Sequence, residues 1–340
     1  MARSLEIARS LSPDQISTAL LKRLHDRSGI HSRGCAVLRA DGSVPLYGLE
    51  REGAPVLVRA STEDRMNAYR QLAAPLAVRA GRAALHAAGT EAGAITHLVS
   101  ASCTGFDAPG FDQAMIRELG MSPRVRRTHI GFMGCHAAVN ALAVASAFAE
   151  QDPRARVLVA CVELSSLHFH FDARVDRLVA NTLFADGAAA AVVSANAVSN
   201  APALARFAGS IIPGSEDAMA WSIADHGFQM TLGADVPAII ASDLAAWVDG
   251  ELASLSMGRA QVGGWAIHPG GPRVIDAVVQ ALALPAGADA ASRQVLREHG
   301  NMSSATLLFI LDRLGRSGVP RPWVGLAFGP GLAGEMVVLR

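Results

Sequence analysis

The sequence predicts a layered α/β protein made of two pseudo-symmetric halves, on three observations. Short apolar runs alternate with helix-like segments. The order of these pieces recurs at a nearly constant spacing. One stretch of small and polar residues, SANAVSNAPA around Asn200, interrupts the pattern and divides residues 1–200 from 201–340.

Taken in order, the first expected element is a long helix from Ser61 to Ala88. Ser61 and Asp64 have capping-box spacing, and Met66, Tyr69, Leu72, Leu76 and Ala80 follow a helical period. Buried strands are expected at His97–Cys103, Val157–Val162, Ala188–Val193, Trp265–Ile267 and Trp323–Phe328. An apolar helix, AAVNALAVASAFA, follows Cys135. In the first half a strand ends near Cys103, a glycine-preceded helix begins at Cys135, and a strand starts at Val157. The second half repeats this at His268, Asn301 and Trp323, with separations of 165, 166 and 166 residues. Duplication followed by divergence explains such a pattern, and pseudo-twofold symmetry would bring Cys135 and Asn301 towards one central site.

Composition narrows the function classes. Of 340 residues, 51% are hydrophobic and 18% charged, so a long disordered tail is not expected and a sizeable core is. Formal charge is zero, which gives no global attraction to nucleic acid or anionic lipid. No apolar run is long enough to span a bilayer, and MARSLEIARSLS lacks the apolar centre of a secretory signal, so a cytoplasmic protein is expected. Lys22 is the only lysine. Cys35, Cys103, Cys135 and Cys161 include no CxxC pair, so neither a zinc site nor a disulfide framework is expected.

Three positions carry candidate chemistry. Cys135 follows Gly131-Phe132-Met133-Gly134 at a helix start, where the helix dipole and free N–H groups favour thiolate. A small buried core residue is the plainer reading. His268 is delivered by an apolar strand to the turn Pro269-Gly270-Gly271-Pro272, a position suited to a rigid imidazole, structural or catalytic. Asn301, after His299-Gly300, suits a helix cap. Placed together by the repeat, the three form a Cys–His–Asn constellation.

These motifs resemble those of the type III polyketide synthases, the chalcone synthase-like family within the thiolase-fold superfamily. GFMGCHAAVNAL, GGWAIHPGGPRVID and HGNMSSATLLFILDRL resemble its cysteine, histidine and asparagine motifs. ITHLVSASCTGFDAPGFD, NTLFADGAAAAVV and AFGPGLAGEMVVLR add three more, so the likeness runs from about Lys22 to Arg340. It implies a thiolase-like αβαβα architecture. It implies a decarboxylating acyltransferase that loads an acyl-CoA starter on Cys135 and extends it with malonyl-CoA. His268 would pair with the sulfur in a thiolate–imidazolium state, and His268 and Asn301 would stabilise the enolate. No cofactor is implied beyond CoA as carrier, and a homodimer is.

The resemblance also makes Phe184 a gate between a CoA tunnel and an inner cavity, with Met230 replacing a second aromatic gatekeeper. Cys103, Thr104, Ser165, His168 and Ser303 match cavity positions, and Arg23 and Arg27 match a basic segment that contacts CoA phosphates. The plainer alternatives are inert packing for Cys103 and His168 and a solvated helix face for Arg23 and Arg27. Three departures stand out. Ala108 replaces a methionine that reaches across the dimer in plant relatives, Ala327 replaces a glycine of the GFGPG-like loop, and no opening strand is evident before Ser12, as though the start were shortened. A ketoacyl-ACP synthase III and a non-catalytic partner subunit are the alternatives. Starter, extension number and cyclisation to a pyrone, resorcinol or phloroglucinol-type product are not legible.

Overall fold

A computed structural model describes residues 2–11, 16–48, 60–196 and 200–340. Ser12 and residues 197–199 of the interrupting stretch lie outside the described residues. Helices α1 (Ala2–Leu11) and α2 (Thr18–Ser28) come first, so residues 2–11 are helical. Helix α3 (Thr62–Ala87) has the expected capping box: the Ser61 hydroxyl accepts from the Asp64 N–H, and the Asp64 carboxylate accepts from the Ser61 N–H.

The first half continues with β1 (His97–Ser102), α4 (Phe111–Leu119), β2 (Arg126–Gly131), α5 (Ala137–Gln151), β3 (Arg156–Leu164), α6 (Val175–Leu183) and β4 (Asp186–Ser194). The second has β5 (Leu204–Ile211), β6 (Met219–Ala224), β7 (Gly227–Leu232), α7 (Val236–Ala253) and β8 (Gly264–Ile267). It ends with α8 (Pro272–Ala281), α9 (Ala290–His299), α10 (Ala305–Arg316), β9 (Trp323–Gly329) and β10 (Ala333–Leu339).

Two four-stranded sheets, ordered β2-β1-β3-β4 and β5-β10-β9-β8, carry the repeat. Strands β1 and β3 pair in parallel and β3 and β4 antiparallel; β8 with β9 and β9 with β10 do the same. The alternation of side chains explains the layering. On β3, Val157, Val159 and Cys161 face a core shared with α5, α10 and the second sheet. Leu158, Ala160 and Val162 face the other way, against α3 and α4. On the second sheet, Trp265, Ile267, Val324 and Leu326 face α7 and α8. The layers are therefore helix, sheet, helix, sheet, helix, the αβαβα architecture of a thiolase-like fold.

The central layer is thin because α5 is alanine-rich. Ala137, Ala138, Ala141 and Ala145 are fully buried and allow α5 and α10 close approach between the sheets. Ala327 is fully buried in the same core. The helix starts differ from the expectation in detail. Cys135 sits in a 3₁₀ turn (Gly134–His136) that runs into α5, whereas α10 begins only at Ala305, four residues after Asn301. The intervening turn includes Ser303 at φ 47°. Among the described residues, no helix is long and apolar enough to cross a membrane.

Candidate active site

The nucleophile candidate is placed by a tight turn after β2. Phe132 and Gly134 both have positive φ, 59° and 76°. A Cβ on Gly134 would lie 2.3 Å from Pro330 Cδ of the turn after β9, so only glycine fits where the two halves meet. Cys103, just past β1, braces this turn. Its Sγ accepts from the Gly134 N–H at 2.9 Å and lies 3.5 Å from the Gly134 carbonyl oxygen. Held to the Gly134 backbone in this way, Cys103 acts as a clamp on the turn, and burial pushes its thiol well up.

His268 follows β8, its N–H donating to Leu326 O at 2.8 Å. Asn301 is bridged to Phe184 at the end of α6. Its N–H donates to Leu183 O at 2.9 Å, and its carbonyl accepts from the Ala185 N–H at 2.8 Å. The Asn301 Oδ1 accepts from the Ser303 N–H at 2.9 Å, which fixes the amide so that Nδ2 is the free end. Asn301 Nδ2, both ring nitrogens of His268, and Ser165 Oγ are buried and have no hydrogen-bond partner among the described residues. All four belong to residues lining one cavity of about 70 Å³. An unmatched buried polar group costs ~1–3 kcal/mol, and a concentration of them on one cavity wall marks a binding surface.

That cavity is lined by Cys135, His268, Asn301, Phe184, Met230, Cys103, Thr104, Ser165, His168 and Ser303, every catalytic and pocket candidate of the sequence reading. Arg23 and Arg27 do not line it. They lie on the exposed face of α2, whose Leu21 packs against Leu178 of α6. All four cysteines are free thiols. Among the described residues no group of three or more His, Cys, Asp and Glu could hold a metal ion.

The electrostatics differ from the sequence expectation. Burial pushes the Cys135 thiol up to about 12, outweighing the lowering influence of the nearby Ser303 and Asn301 side chains. It also pushes His268 down to about 3, aided by repulsion from His136. Desolvation thus opposes a thiolate–imidazolium pair and outweighs the helix start.

Sequence reasoning missed several residues of the site. Trp221 stands opposite Met230 in the β6–β7 hairpin, and its Nε1–H donates to Cys103 O at 2.7 Å across the cavity. Phe228 stacks on the His168 ring at 4.1 Å and 11°. Arg33 donates to the carbonyl oxygens of Asn181 and Phe184 at 2.5 and 2.8 Å, holding the end of α6 and so the gate residue. Glu163, fully buried below the cavity, accepts from the Cys103 N–H, from Thr104 Oγ1 and from Ser304 Oγ, tying the two halves together. Burial pushes its carboxyl up to about 7, against those three bonds.

His168 is a strut. Its Nδ1 accepts from the Phe228 N–H at 3.0 Å and its Nε2–H donates to Thr104 O at 2.6 Å, so the ring is neutral and its tautomer fixed. Burial pushes it down to about 3. A histidine depressed in the fold contributes stability that is present above its unfolded value near 6.5 and lost as pH falls towards 3. Each of His168 and His268 then costs about 2 kcal/mol between pH 6.5 and 5. Glu163, raised in the fold, opposes one of them below pH 7. We expect His168→Gln to flatten the fall in stability by about 1.4 kcal/mol per pH unit, read from urea midpoints at pH 5, 6 and 7. An unchanged slope would mean that His168 is not buried neutral.

The chain matches the family model for the N-terminal domain of chalcone and stilbene synthases over residues 49–197, and that for their C-terminal domain over 204–340. It belongs to that family, the type III polyketide synthases. It is 34% identical to the α-pyrone synthesis polyketide synthase-like Pks18 of Mycobacterium tuberculosis, over 93% of this chain and 80% of that one. Identity is also 34% to the 3,5-dihydroxyphenylacetyl-CoA synthase of Amycolatopsis balhimycina, covering 82% and 76%. Among solved structures, PKS-I of the brown alga Ectocarpus siliculosus superposes with a TM-score of 0.91 at 32% identity, covering 100% and 93%. The type III domain of Dictyostelium Steely1 gives 0.90 at 30%, covering 99% and 94%. This membership decides between the two condensing-enzyme families that the motifs left in competition. The protein is a type III polyketide synthase, an acyltransferase of the decarboxylating, condensing kind.

Proposed function

We propose that this polyketide synthase loads an acyl-CoA starter on Cys135 and extends it with malonyl-CoA, with His268 and Asn301 as the other catalytic residues. The observation that carries the assignment is the single cavity into which Cys135, the unpartnered His268 nitrogens and the unpartnered Asn301 amide all open. In loading, the Cys135 proton passes to His268 as the sulfur attacks the thioester carbonyl. The C–S bond to CoA breaks, and His268 returns the proton to the departing thiolate. Malonyl-CoA then loses CO₂, and the enolate oxygen is held by His268 N–H and Asn301 Nδ2–H. The enolate carbon attacks the acyl-Cys135 carbonyl, forming the C–C bond and releasing the sulfur. No cofactor enters this scheme and no carrier arm is attached to the chain.

In this reading Phe184 and Met230 gate the cavity, and Thr104, Ser165, His168, Ser303 and Cys103 shape it. Arg23 and Arg27, exposed on α2 above α6, meet CoA phosphates. Phe106, 50% exposed, stacks on Phe228 at 5.9 Å beside the 39% exposed Met133, an apolar patch that we assign to the homodimer interface. Four free thiols suit a reducing compartment, and we place the enzyme in the cytoplasm. The relatives named for an α-pyrone and for 3,5-dihydroxyphenylacetyl-CoA support closure to a pyrone or a resorcinol-type ring. Incubation with malonyl-CoA and a panel of acetyl-, hexanoyl-, lauroyl- and phenylacetyl-CoA, read by mass spectrometry, should give products carrying two or more malonyl-derived units without ACP. Products with a single unit, or a requirement for ACP, would refute it; absence of any acyl-enzyme would favour a non-catalytic subunit.

A further inference from the structure

One wall of the cavity is polar and takes no part in the chemistry above. Helix α6 lines it with Arg177, Ala180, Asn181 and Phe184 at i, i+3, i+4 and i+7, one face of the helix. Arg177 therefore stands two turns, roughly 10 Å, along the axis from the gate residue Phe184. Its guanidinium is held at both ends. Nη1 donates to the Asp172 carboxylate, and Nη2 donates to Gln229 Oε1 at 2.9 Å, beside Met230 on β7. The side chain is 16% exposed, and its Nε is buried without a partner among the described residues. A donor oriented by two neighbours and left unmatched on a cavity wall is built to meet an acceptor that arrives with the ligand. Asp172 already balances the charge, so a second anion would crowd a carboxylate, whereas a neutral oxygen would not.

We propose that Arg177 Nε–H is a substrate contact that binds a neutral carbonyl oxygen in the passage past Phe184. That chemistry has two sources, the amides of the CoA pantetheine arm and the keto groups of the growing chain. The proposal rests on the polyketide synthase reading of the same cavity. Arg177→Lys keeps a cation for Asp172 but has no Nε–H at that point, and Arg177→Leu removes both.

The test measures loading of Cys135 from subsaturating hexanoyl-CoA in a single turnover, then product length with malonyl-CoA. If the pantetheine amide is bound, both variants load roughly tenfold more slowly, with the rate at saturation retained. If a keto oxygen is bound, loading is unchanged and shorter products are released. Gln229→Leu, which cuts the link to β7 but keeps the Asp172 pair and Nε, should give the same kind of change with a clearly smaller size. The proposal is overturned if folded Arg177→Lys loads and extends as wild type. It is also overturned if Gln229→Leu reproduces the full effect, since Arg177 would then be only a brace. A wild-type protein that loads no acyl group would bring down the underlying reading instead, a result distinct from both.

Discussion

Replacing Cys135 with alanine should abolish covalent loading and cut product formation on the order of 10⁴-fold or more. The substitution is mild for the fold. The thiol is 9% exposed at the head of α5, among helix residues that are themselves alanine, so melting behaviour should stay close to wild type. The other sulfurs are placed differently. Cys103 is clamped on the Gly134 N–H, Cys161 is fully buried within β3, and neither Cys161 nor Cys35 lines the cavity. Intact-mass measurement after acyl-CoA exposure should therefore show no adduct, whereas wild type shows one. Cys135→Ala should still decarboxylate malonyl-CoA, because the groups facing the enolate oxygen, His268 and Asn301, remain. An adduct that persists within the cavity of Cys135→Ala would remove the nucleophile assignment.

The sequence was most legible where one physical rule acted alone. Ser61 and Asp64 announced the start of α3 because a capping box needs only local groups. The buried strands β1, β3 and β9 appeared as apolar runs because helices cover both faces of their sheets. The near-constant separation of Cys103, Cys135 and Val157 from their counterparts was readable because duplicated halves keep register even when side chains diverge. By contrast β2, RRTHIG, is a mostly exposed edge strand with no apolar run. The β6–β7 hairpin belongs to neither sheet, so no repeat pointed to Trp221 or Phe228. The role of Glu163 also escaped notice. A glutamate within an apolar strand is interpretable only once Thr104, Cys103 and Ser304 are seen to converge on it from both halves.

The burial of Cys135 was not legible for a related reason. The helix dipole can be inferred from position, but burial depends on the second half of the chain. The wall formed by Pro330, Phe328 and His268 dominates once assembled. On the proposed scheme the thiolate is generated during the reaction, by proton transfer to the unprotonated nitrogen of an imidazole that has no hydrogen-bond partner among the described residues. In the proposed scheme His268 serves loading and decarboxylation alike, whereas Asn301 serves mainly the second.

Asn301→Asp separates the two steps. The carboxylate keeps the acceptor for the Ser303 N–H and the shape of the side chain, but replaces the Nδ2 donor with an oxygen. At pH 8, malonyl-CoA decarboxylation should fall about 10²- to 10³-fold, the usual effect of removing one oxyanion donor. Loading of Cys135 should change far less. Asn301 is fully buried, so a carboxyl there has its pKa raised and becomes a donor again when protonated. The variant should accordingly recover decarboxylation as pH is lowered, a slope that the amide cannot show because it does not titrate. Wild-type decarboxylation by Asn301→Asp at pH 8 would take Asn301 out of the enolate site. Equal losses in loading and decarboxylation would mean that its contribution is to hold Phe184 and the α10 turn in place, through its backbone bonds to Leu183 and Ala185, rather than to bind the enolate.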